Sequence, residues 1–104
     1  MQVYVNVILP LPIANVYTYI LPQEYAGSVR VGTRVIVPFG KSKIYTALVY
    51  EIHFSAPENV ELKSVISILD EQSVVRSTQL RFWEWLSGYY QCTLGEVYKA
   101  ALPS

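Results

Sequence analysis

Apolar and polar residues alternate with a period of two through most of the first seventy positions of the chain, which is the pattern of half-buried β-strands. Residues 2–9 are rich in β-branched and aromatic side chains and predict a first strand. Residues 16–20 predict a second strand, with Tyr17 and Tyr19 on one face and Thr18 on the other. Three further strands are predicted over residues 33–38, 44–54 and 63–69.

The period changes to that of an α-helix after Ser77, which is predicted to be the N-cap. Apolar residues at 82, 83, 86, 89 and 90 have helical spacing, and Thr93 or Gly95 is predicted to begin a second, short helix. Strands that come first and helices that come last predict a mainly β fold: a small antiparallel β-barrel-like sheet with one or two C-terminal α-helices. We expect one domain over residues 1–104, with strands over about 2–70 and helices over about 77–101.

A basic turn follows the third predicted strand. Because Pro38 has no N–H to donate, this strand is expected to end there or to lie on a sheet edge. Gly40 allows a positive φ and a close approach of another backbone or a ligand. The whole chain has a net charge of zero, but residues 25–50 contain no acid and four basic side chains: Arg30, Arg34, Lys41 and Lys43. This asymmetry indicates a small anion site, with an ordinary solvated hairpin turn as the alternative.

Residues that commonly carry catalysis are scarce in this chain. With one cysteine and one histidine, it can form neither an internal disulfide nor a Cys/His metal cluster. No phosphate-binding loop, nucleophile elbow or pair of metal-binding carboxylates occurs at motif spacing. We therefore predict that this piece is not an enzyme and has no cofactor of its own. The alternative is a small enzyme that uses Cys92 or His53.

The N-terminus does not have the pattern of a targeting or membrane segment. No basic region precedes its apolar residues, and Pro10 and Pro12 interrupt them. We expect a cytoplasmic protein without a membrane partner. The Leu-Pro pair at 102–103, directly after a helical pattern, leads us to expect that the chain is part of a longer one.

Aromatic residues are unusually abundant, with nine tyrosines, three phenylalanines and two tryptophans in 104 residues. Tyr17 and Tyr19 lie on a predicted strand, and Phe39 lies in the glycine turn with Gly40. Lysines near them are Lys41, Lys43 and Lys63. Such rings stack on nucleic-acid bases and lysines neutralise phosphates, so the pattern favours single-stranded nucleic acid as the ligand. The alternative is a protein-interaction domain that uses exposed tyrosines.

Seven short sequences occur in an order that resembles a known family, the N-terminal 3′-end DNA-binding domain of PriA (primosomal protein N′), the bacterial replication-restart helicase. They are Leu-Pro-Leu-Pro (9–12), Tyr-Thr-Tyr-Ile-Leu-Pro (17–22), Val-Gly-Thr-Arg-Val-Ile-Val-Pro-Phe-Gly (31–40), Leu-Lys-Ser-Val (62–65), Ile-Leu-Asp (68–70), Tyr-Tyr-Gln-Cys-Thr-Leu-Gly-Glu-Val (89–97) and Ala-Ala-Leu-Pro (100–103). The resemblance extends over nearly the whole chain.

The resemblance implies that the domain binds the 3′ terminus of the nascent leading strand at stalled replication forks and so positions the helicase for replication restart. The family's pocket for the terminal nucleotide falls on four positions of this sequence: Tyr17, Thr18, Gly40 and Lys63. Tyr19 and Phe39 are expected beside them. Possible phosphate contacts are Arg34, Lys41 and Lys43.

Thr18 departs from the family, in which an aspartate is usual at this position. A threonine hydroxyl both donates and accepts a hydrogen bond, but it carries no charge. Losing a negative charge that would repel a terminal phosphate implies weaker discrimination between a 3′ hydroxyl and a 3′ phosphate. The resemblance thus leaves open which hydrogen bond reads the terminal nucleotide here.

The resemblance also implies a longer parent protein, an ATP-dependent 3′–5′ DNA helicase of the bacterial cytoplasm and nucleoid. Its ATPase lobes, zinc-binding insertion and winged-helix domain would lie outside this chain, and with them ATP, magnesium and zinc. The expected partners are DNA with a forked or single-stranded 3′ end and the parent's other domains. Primosome proteins and single-strand-binding protein would be contacted through the parent.

Overall fold

The computed structural model describes residues 1–58 and 60–102, so Asn59 of the polar loop at 55–61, and Pro103 and Ser104 at the end of the predicted domain, lie outside the described residues. The described elements are β1 (Val3–Ile8), β2 (Tyr17–Leu21), a short 3-10 helix (Gln23–Tyr25), β3 (Arg34–Phe39), β4 (Lys43–His53), β5 (Ser67–Ile68), α1 (Ser77–Tyr90) and α2 (Leu94–Ala101). The predicted mainly β fold with C-terminal helices is confirmed.

The five strands form one antiparallel sheet in the order β2-β1-β4-β3-β5. β4 is the longest strand, with 11 residues, and pairs with both β1 and β3. The register between β1 and β4 shifts after Asn6, which pairs with Glu51, whereas Val7 pairs with Val49. Such a bulge increases the local twist, and this helps the sheet to curl.

The curled sheet closes because both of its outer regions bind one segment of chain, residues 63–68. On the β2 side, the Ile20 N–H donates to the Lys63 carbonyl at 2.9 Å, and the Val65 N–H donates to the Ile20 carbonyl at 2.9 Å. On the β3 side, the Ile66 N–H donates to the Ile36 carbonyl at 2.8 Å. We call this line of closure between β2 and β3 the seam. It makes the sheet barrel-like, as predicted.

Two strand boundaries differ from the prediction. The fifth strand was predicted over residues 63–69, but regular pairing covers only Ser67–Ile68, with an isolated parallel bridge between Ser64 and Ile20. The third strand does not end at Pro38, which lies inside β3 opposite Ile44 of β4. The other predicted alternative applies, because β5 pairs only with Val35 and Ile36 and leaves Pro38 on an edge of the sheet. The carbonyls of Arg34 and Ile36 point away from β4 and accept hydrogen bonds from the β5 segment. Because main-chain groups alternate in direction along a strand, the nitrogen of Pro38 also faces away from β4, so its missing N–H removes no hydrogen bond between β3 and β4.

The two helices cover one side of the sheet. A cluster of apolar side chains joins them to β1 and β4: Ile8, Leu48, Val75, Leu80, Trp83 and Tyr98. The predicted helical spacing over α1 is confirmed, but the predicted apolar face is partly wrong, because Phe82, Tyr89 and Tyr90 are exposed. The predicted N-cap is also shifted by one residue, since the cap is Arg76, whose N–H donates to the Gln79 side chain at 2.8 Å.

α2 begins after Thr93, one of the two predicted starting points. The Thr93 hydroxyl accepts from the Glu96 N–H at 3.1 Å, and the Glu96 carboxylate accepts from the Thr93 N–H at 2.9 Å. These reciprocal bonds satisfy two main-chain donors at the start of the helix. Gly95 follows within the first turn and packs directly on the chain that leaves β1: a Cβ there would lie 2.0 Å from the Leu11 carbonyl oxygen and 2.4 Å from that of Leu9.

Substitution of Gly95 by alanine should therefore destabilise the domain, because the backbone of the 9–11 segment would have to move. We expect Gly95→Ala to lower the free energy of unfolding by about 1–3 kcal/mol, as for other overpacked sites. Gly88→Ala is the matched control, since Gly88 is also helical but a Cβ there meets no atom within 4 Å. Alanine's better helix propensity should make that variant more stable by about 0.5–1 kcal/mol. Urea unfolding of both variants tests this, and equal effects would contradict it.

Candidate nucleic-acid interface

Main-chain hydrogen bonds close the seam at Ile20 and Ile36. Toward Thr18 on β2 and Pro38 on β3 the seam is open, and a cleft of about 400 Å³ lies in this opening. We call it the seam cleft. Three stretches that are distant in sequence line it: Val16, Tyr17, Thr18 and Tyr19 from β2 and its approach, Pro38, Phe39 and Gly40 from the end of β3, and Pro57, Val60, Glu61, Leu62 and Lys63 from the loop before the closing segment. The volume is near the lower end of small-ligand pockets, about 300–1,000 Å³.

All six residues predicted for the terminal-nucleotide pocket line this cleft: Tyr17, Thr18, Tyr19, Phe39, Gly40 and Lys63. The part of the lining that sequence reasoning missed comes from the loop before Lys63: Pro57, Val60, Glu61 and Leu62. In the sequence it is a polar stretch without periodicity, so no local pattern distinguishes it from an ordinary solvent loop. Lys63, at its end, was the one sign that this region belongs to the site.

At Pro38 the two sides of the seam are joined by a side-chain hydrogen bond from Tyr19 and not by main-chain pairing. Pro38 has no N–H to offer to β2, and its carbonyl accepts a hydrogen bond from the Tyr19 hydroxyl at 2.7 Å. Tyr19 is 3% exposed, and this burial, with a smaller contribution from Tyr17, raises the pKa of its phenol. The Tyr19 ring is therefore a buried support for the cleft and not the exposed stacking surface that the sequence suggested.

The aromatic surface of the cleft comes from Tyr17 and Phe39, both half-buried. Their rings meet edge to face, with centroids 5.1 Å apart and planes at 74°. Phe39 in turn contacts Tyr45 edge to face at 6.1 Å. Each ring is thus held in place by another, so a base that packs on them meets a pre-ordered surface.

Lys63 and Gly40 join the loop to the β3–β4 hairpin across the mouth of the cleft. The Lys63 ammonium donates to the Gly40 carbonyl oxygen at 2.9 Å. Gly40 has φ +73°, and a Cβ there would meet no atom within 4 Å, so its surface is open on the side of the missing side chain. A lysine has three N–H donors, and the Gly40 bond uses one. The ammonium is therefore positioned at the cleft with donors left for an anion.

Thr18 contributes its main chain to the edge of the cleft. Since strand residues alternate in the direction of their N–H and C=O groups, Thr18 points them toward the seam as Ile20 does. At Ile20 these groups bind Lys63 and Val65, whereas the cleft begins at Thr18. The Thr18 side chain lies on the outer face of the sheet, where its hydroxyl donates to the Asn6 side-chain oxygen at 2.6 Å.

The three predicted phosphate contacts are not part of the lining. Arg34 is at the far end of β3, where Asp70 accepts three of its hydrogen bonds, from the main-chain N–H, from Nε at 2.8 Å and from Nη2 at 2.9 Å. Among residues 1–58 and 60–102 this is the one salt bridge. Lys41 and Lys43 lie exposed in the hairpin next to Gly40. The local charge of +4 read from the sequence is therefore reduced by Asp70.

Of the two residues of the enzymatic alternative, His53 is held by contacts of its ring and Cys92 by a main-chain hydrogen bond, while the Cys92 thiol is free and half-buried. His53 Nε2 lies 3.0 Å from the Asn6 side-chain oxygen, and its ring stacks on Tyr4. Cys92 lies between α1 and α2, where its carbonyl accepts a hydrogen bond from the Ser87 hydroxyl. Within the described ranges no three His, Cys, Asp or Glu side chains are grouped as a metal site, and no helix there is long and apolar enough to span a bilayer.

Exposed aromatic side chains are concentrated on α1 and not on the strands. Phe82, Trp85, Tyr89 and Tyr90 are each 56–67% exposed. Phe82, Trp85 and Tyr89 form a row of nearly parallel rings, with centroid distances of 6.0 and 5.0 Å. If the domain has a protein-binding surface of the kind that the sequence left open, this row has the composition for it.

Comparisons with known proteins identify relatives. The family model of the PriA 3′ DNA-binding domain (3′BD) matches residues 6–103. The replication restart protein PriA of Treponema pallidum is 28% identical over 109 residues, which cover 100% of this chain and 16% of that protein. PriA of Haemophilus influenzae is 31% identical over 100 residues (95% and 13%), and PriA of Rickettsia felis is 35% identical over 95 residues (89% and 14%). The chain spans about one seventh of the length of these relatives.

The Arg34–Asp70 pair makes a prediction about acid stability. Hydrogen bonds from Arg34 lower the pKa of Asp70 below its ordinary value, so the folded state favours the ionised carboxylate. Stability from this pair is present above the ordinary carboxyl pKa, about 3.9, and is lost as the pH falls through the folded pKa. Asp70→Asn should lower the free energy of unfolding at pH 7 by about 1–2 kcal/mol.

Urea unfolding at pH 7 and at a series of acidic pH values checks this, and the deficit of Asp70→Asn should shrink as the wild type loses its ion pair. Glu71→Gln is the neighbouring control, since Glu71 is exposed and takes no part in this pair. A deficit that is constant with pH would show that the substitution acts through packing and not through the charge.

Proposed function

The chain belongs to the family of PriA 3′ DNA-binding domains, and we propose that it binds the 3′ end of single-stranded DNA in the seam cleft. The observation that carries this proposal is the convergence of three distant parts of the chain, 16–19, 38–40, and Pro57 with 60–63, on one small opening. The opening combines aromatic rings with an ammonium group. This is the combination that single-stranded nucleic acid requires, since rings pack on bases and cations neutralise phosphates.

The shape of the cleft supports binding of a terminus in preference to a continuous strand. The seam is closed at Ile20, whose main chain forms hydrogen bonds with the main chain of Lys63 and Val65. A polynucleotide laid along the open part of the seam meets this closed part and has to end there. The preference for the 3′ terminus over the 5′ terminus rests on the family's description as a 3′ DNA-binding domain.

Each lining group has a place in this proposal. Tyr17 and Phe39 pack on the terminal base or sugar, which contributes about 1–3 kcal/mol per base by stacking. Gly40 gives the close approach that a side chain would block. Lys63 binds the terminal hydroxyl or the last phosphate with the donors that the Gly40 carbonyl does not use. Lys41 and Lys43 lie beside the mouth of the cleft, where they would contact the preceding phosphates; Arg34, paired with Asp70, is left out of the proposed site.

The larger setting is also part of the proposal, because the chain spans only about one seventh of its relatives. The name replication restart protein PriA places those relatives at replication restart. We propose that this domain positions a helicase of that kind, with its ATP, magnesium and zinc, on the nascent leading strand at stalled forks. Contacts with other domains, primosome proteins and single-strand-binding protein, and a place at the bacterial nucleoid in the cytoplasm, would belong to that parent protein.

Fluorescence anisotropy with short single-stranded DNA at low salt tests the proposed site. We expect a free 3′ hydroxyl end to bind more tightly than an otherwise identical end buried in a duplex. Lys63→Ala should weaken binding to the free end by about tenfold or more, the effect of removing a charge-assisted hydrogen bond of about 1.5–3 kcal/mol. Lys99→Ala is the matched control, a lysine of α2 outside the seam cleft.

The salt dependence separates DNA binding from the protein-interaction alternative. Two phosphate contacts from Lys41 and Lys43, or three if Lys63 also binds a phosphate, predict a slope of about −1.4 to −2.1 for the logarithm of affinity against the logarithm of salt concentration. Equal effects of Lys63→Ala and Lys99→Ala would place the site elsewhere. Absence of DNA binding by the wild type would overturn the proposal and leave the aromatic row of α1 as the functional surface.

A further inference from the structure

In the closed part of the seam, one strand-like segment lies between β2 and β3. The main chain of residues 63–66 bonds to Ile20 on one side and to Ile36 on the other. Since neighbouring strands lie about 4.7–4.9 Å apart, β2 and β3 are separated there by two spacings, roughly 9–10 Å. The seam cleft continues this gap to Thr18 and Pro38, where no described residue pairs with both strands. The cleft therefore occupies the place of one strand.

The side chain of Tyr19 crosses this gap where the strand is missing. From β2 its hydroxyl donates to the carbonyl of Pro38 on β3 at 2.7 Å, and both residues line the cleft. Tyr19 is almost fully buried, and burial raises the pKa of its phenol. The hydroxyl thus stays protonated at neutral pH and remains a donor. One buried hydrogen bond joins the two sides of the cleft at this level.

The other hydrogen bond across the cleft is of a different kind. The Lys63 ammonium donates to the Gly40 carbonyl at the mouth, where the exposed lysine also meets water. Water competes with such a bond, and a lysine side chain has many rotamers to lose. The Tyr19 hydroxyl is shielded from that competition, and its ring has only two rotatable bonds. Because Pro38 directly precedes Phe39, the Tyr19 bond also holds the start of the aromatic wall.

We infer that Tyr19 is a positioning residue for the DNA end: its hydroxyl sets the width of the seam cleft so that the terminal base packs on Phe39. The inference rests on the proposed function, because it assumes that the DNA end occupies the seam cleft. Tyr19 acts in this role through the Pro38 carbonyl and not through a contact with the base. Without the hydroxyl, that carbonyl loses its partner and the end of β3 is no longer held at a fixed distance from β2.

Tyr98 supplies a matched control for the removal of one hydroxyl. Like Tyr19 it is 3% exposed, and its hydroxyl donates to a sheet carbonyl, that of Thr46, at 3.0 Å. This bond joins α2 to β4 and lies outside the seam cleft. Tyr19→Phe and Tyr98→Phe each remove one buried hydrogen bond, so both should lower the urea midpoint of unfolding by a similar amount.

The experiment measures dissociation constants by fluorescence anisotropy for two oligonucleotides, one with a base on its 3′-terminal sugar and one with an abasic 3′-terminal sugar. Stacking predicts that the wild type prefers the base-bearing end by about tenfold or more. Tyr19→Phe should lower this preference by about threefold or more. Its affinity for the abasic end and its salt dependence should not change, because the lysines that bind phosphates are intact. Tyr98→Phe should keep the preference of the wild type.

Two outcomes with Tyr19→Phe would overturn the inference while the proposed function stands. The first is a base preference equal to that of the wild type. The second is an equal loss of affinity for the base-bearing and abasic ends, or a fall in base preference that Tyr98→Phe shares, since either result means that the hydroxyl acts only through stability. If the wild type binds no DNA end, the proposed function itself fails.

A measurement on the wild type keeps the inference testable if Tyr19→Phe does not fold. In nuclear magnetic resonance spectra, Overhauser contacts between the ring protons of Tyr19 and the Pro38–Phe39 segment should be present both without DNA and with the base-bearing oligonucleotide bound. The resonances of the Phe39 ring should shift with the base-bearing end and much less with the abasic end. Loss of the Tyr19 contacts on binding, or equal shifts of Phe39 with both ends, would overturn the inference.

Discussion

The missing main-chain donor of Pro38 determines the shape of the proposed site. In a closed sheet each strand edge is paired, and here residues 63–68 supply the pairs for both β2 and β3 over part of their length. At Pro38 no N–H is available to extend a ladder toward β2, and the carbonyl of the same residue is bound to the Tyr19 hydroxyl. Neither half of a β-pair can form at this point. The seam therefore stays open there, and the opening becomes a cleft with ordered walls.

The segment that closes the barrel also completes the cleft, so stability and the proposed binding site depend on the same residues. Through its carbonyl, Lys63 accepts from the Ile20 N–H and fastens the segment to β2. Through its ammonium, it binds the Gly40 carbonyl and fastens the loop to the β3–β4 hairpin. One main-chain and one side-chain hydrogen bond of Lys63 thus fix the distance between β2 and the β3–β4 hairpin, the two sides of the cleft. This explains how a cleft made from three distant stretches can be ordered without a ligand.

The sequence predicted the strands and helices well where one face is buried and the other is exposed to solvent. The alternating strands β1 to β4 were found for that reason, and Thr93 was one of the two predicted starting points of α2. α1 was harder, because it carries aromatic residues around most of its circumference: the spacing put Trp83 and not Trp85 on the predicted face, but it also put the exposed Phe82, Tyr89 and Tyr90 there. Only Trp83 is buried, at 6% exposure, against 57% for Trp85. The contact of α1 with the sheet decides between them, and that contact is not local in sequence.

The candidate site was predictable as a set of residues, but not in the role of each. Tyr19 looked like a stacking ring, yet its hydroxyl closes on Pro38, 19 residues away in sequence, and its ring is buried. Arg34 looked like a phosphate ligand, yet Asp70 neutralises it from 36 residues away. In each case the chemistry of the residue type was read correctly. The partner that uses up its hydrogen bonds comes from another strand, and a window along the chain does not include it.

Thr18 depends on other strands in the same way. Judged by residue type, a threonine hydroxyl either donates or accepts a hydrogen bond. In the folded sheet the Thr18 hydroxyl donates its hydrogen bond to Asn6, because Glu51 accepts from the Asn6 NH₂ group and so turns the Asn6 oxygen toward Thr18. The hydrogen bonding of Thr18 on β2 is therefore understood only together with Asn6 on β1 and Glu51 on β4, and these three side chains are the natural unit for comparing this domain with its relatives.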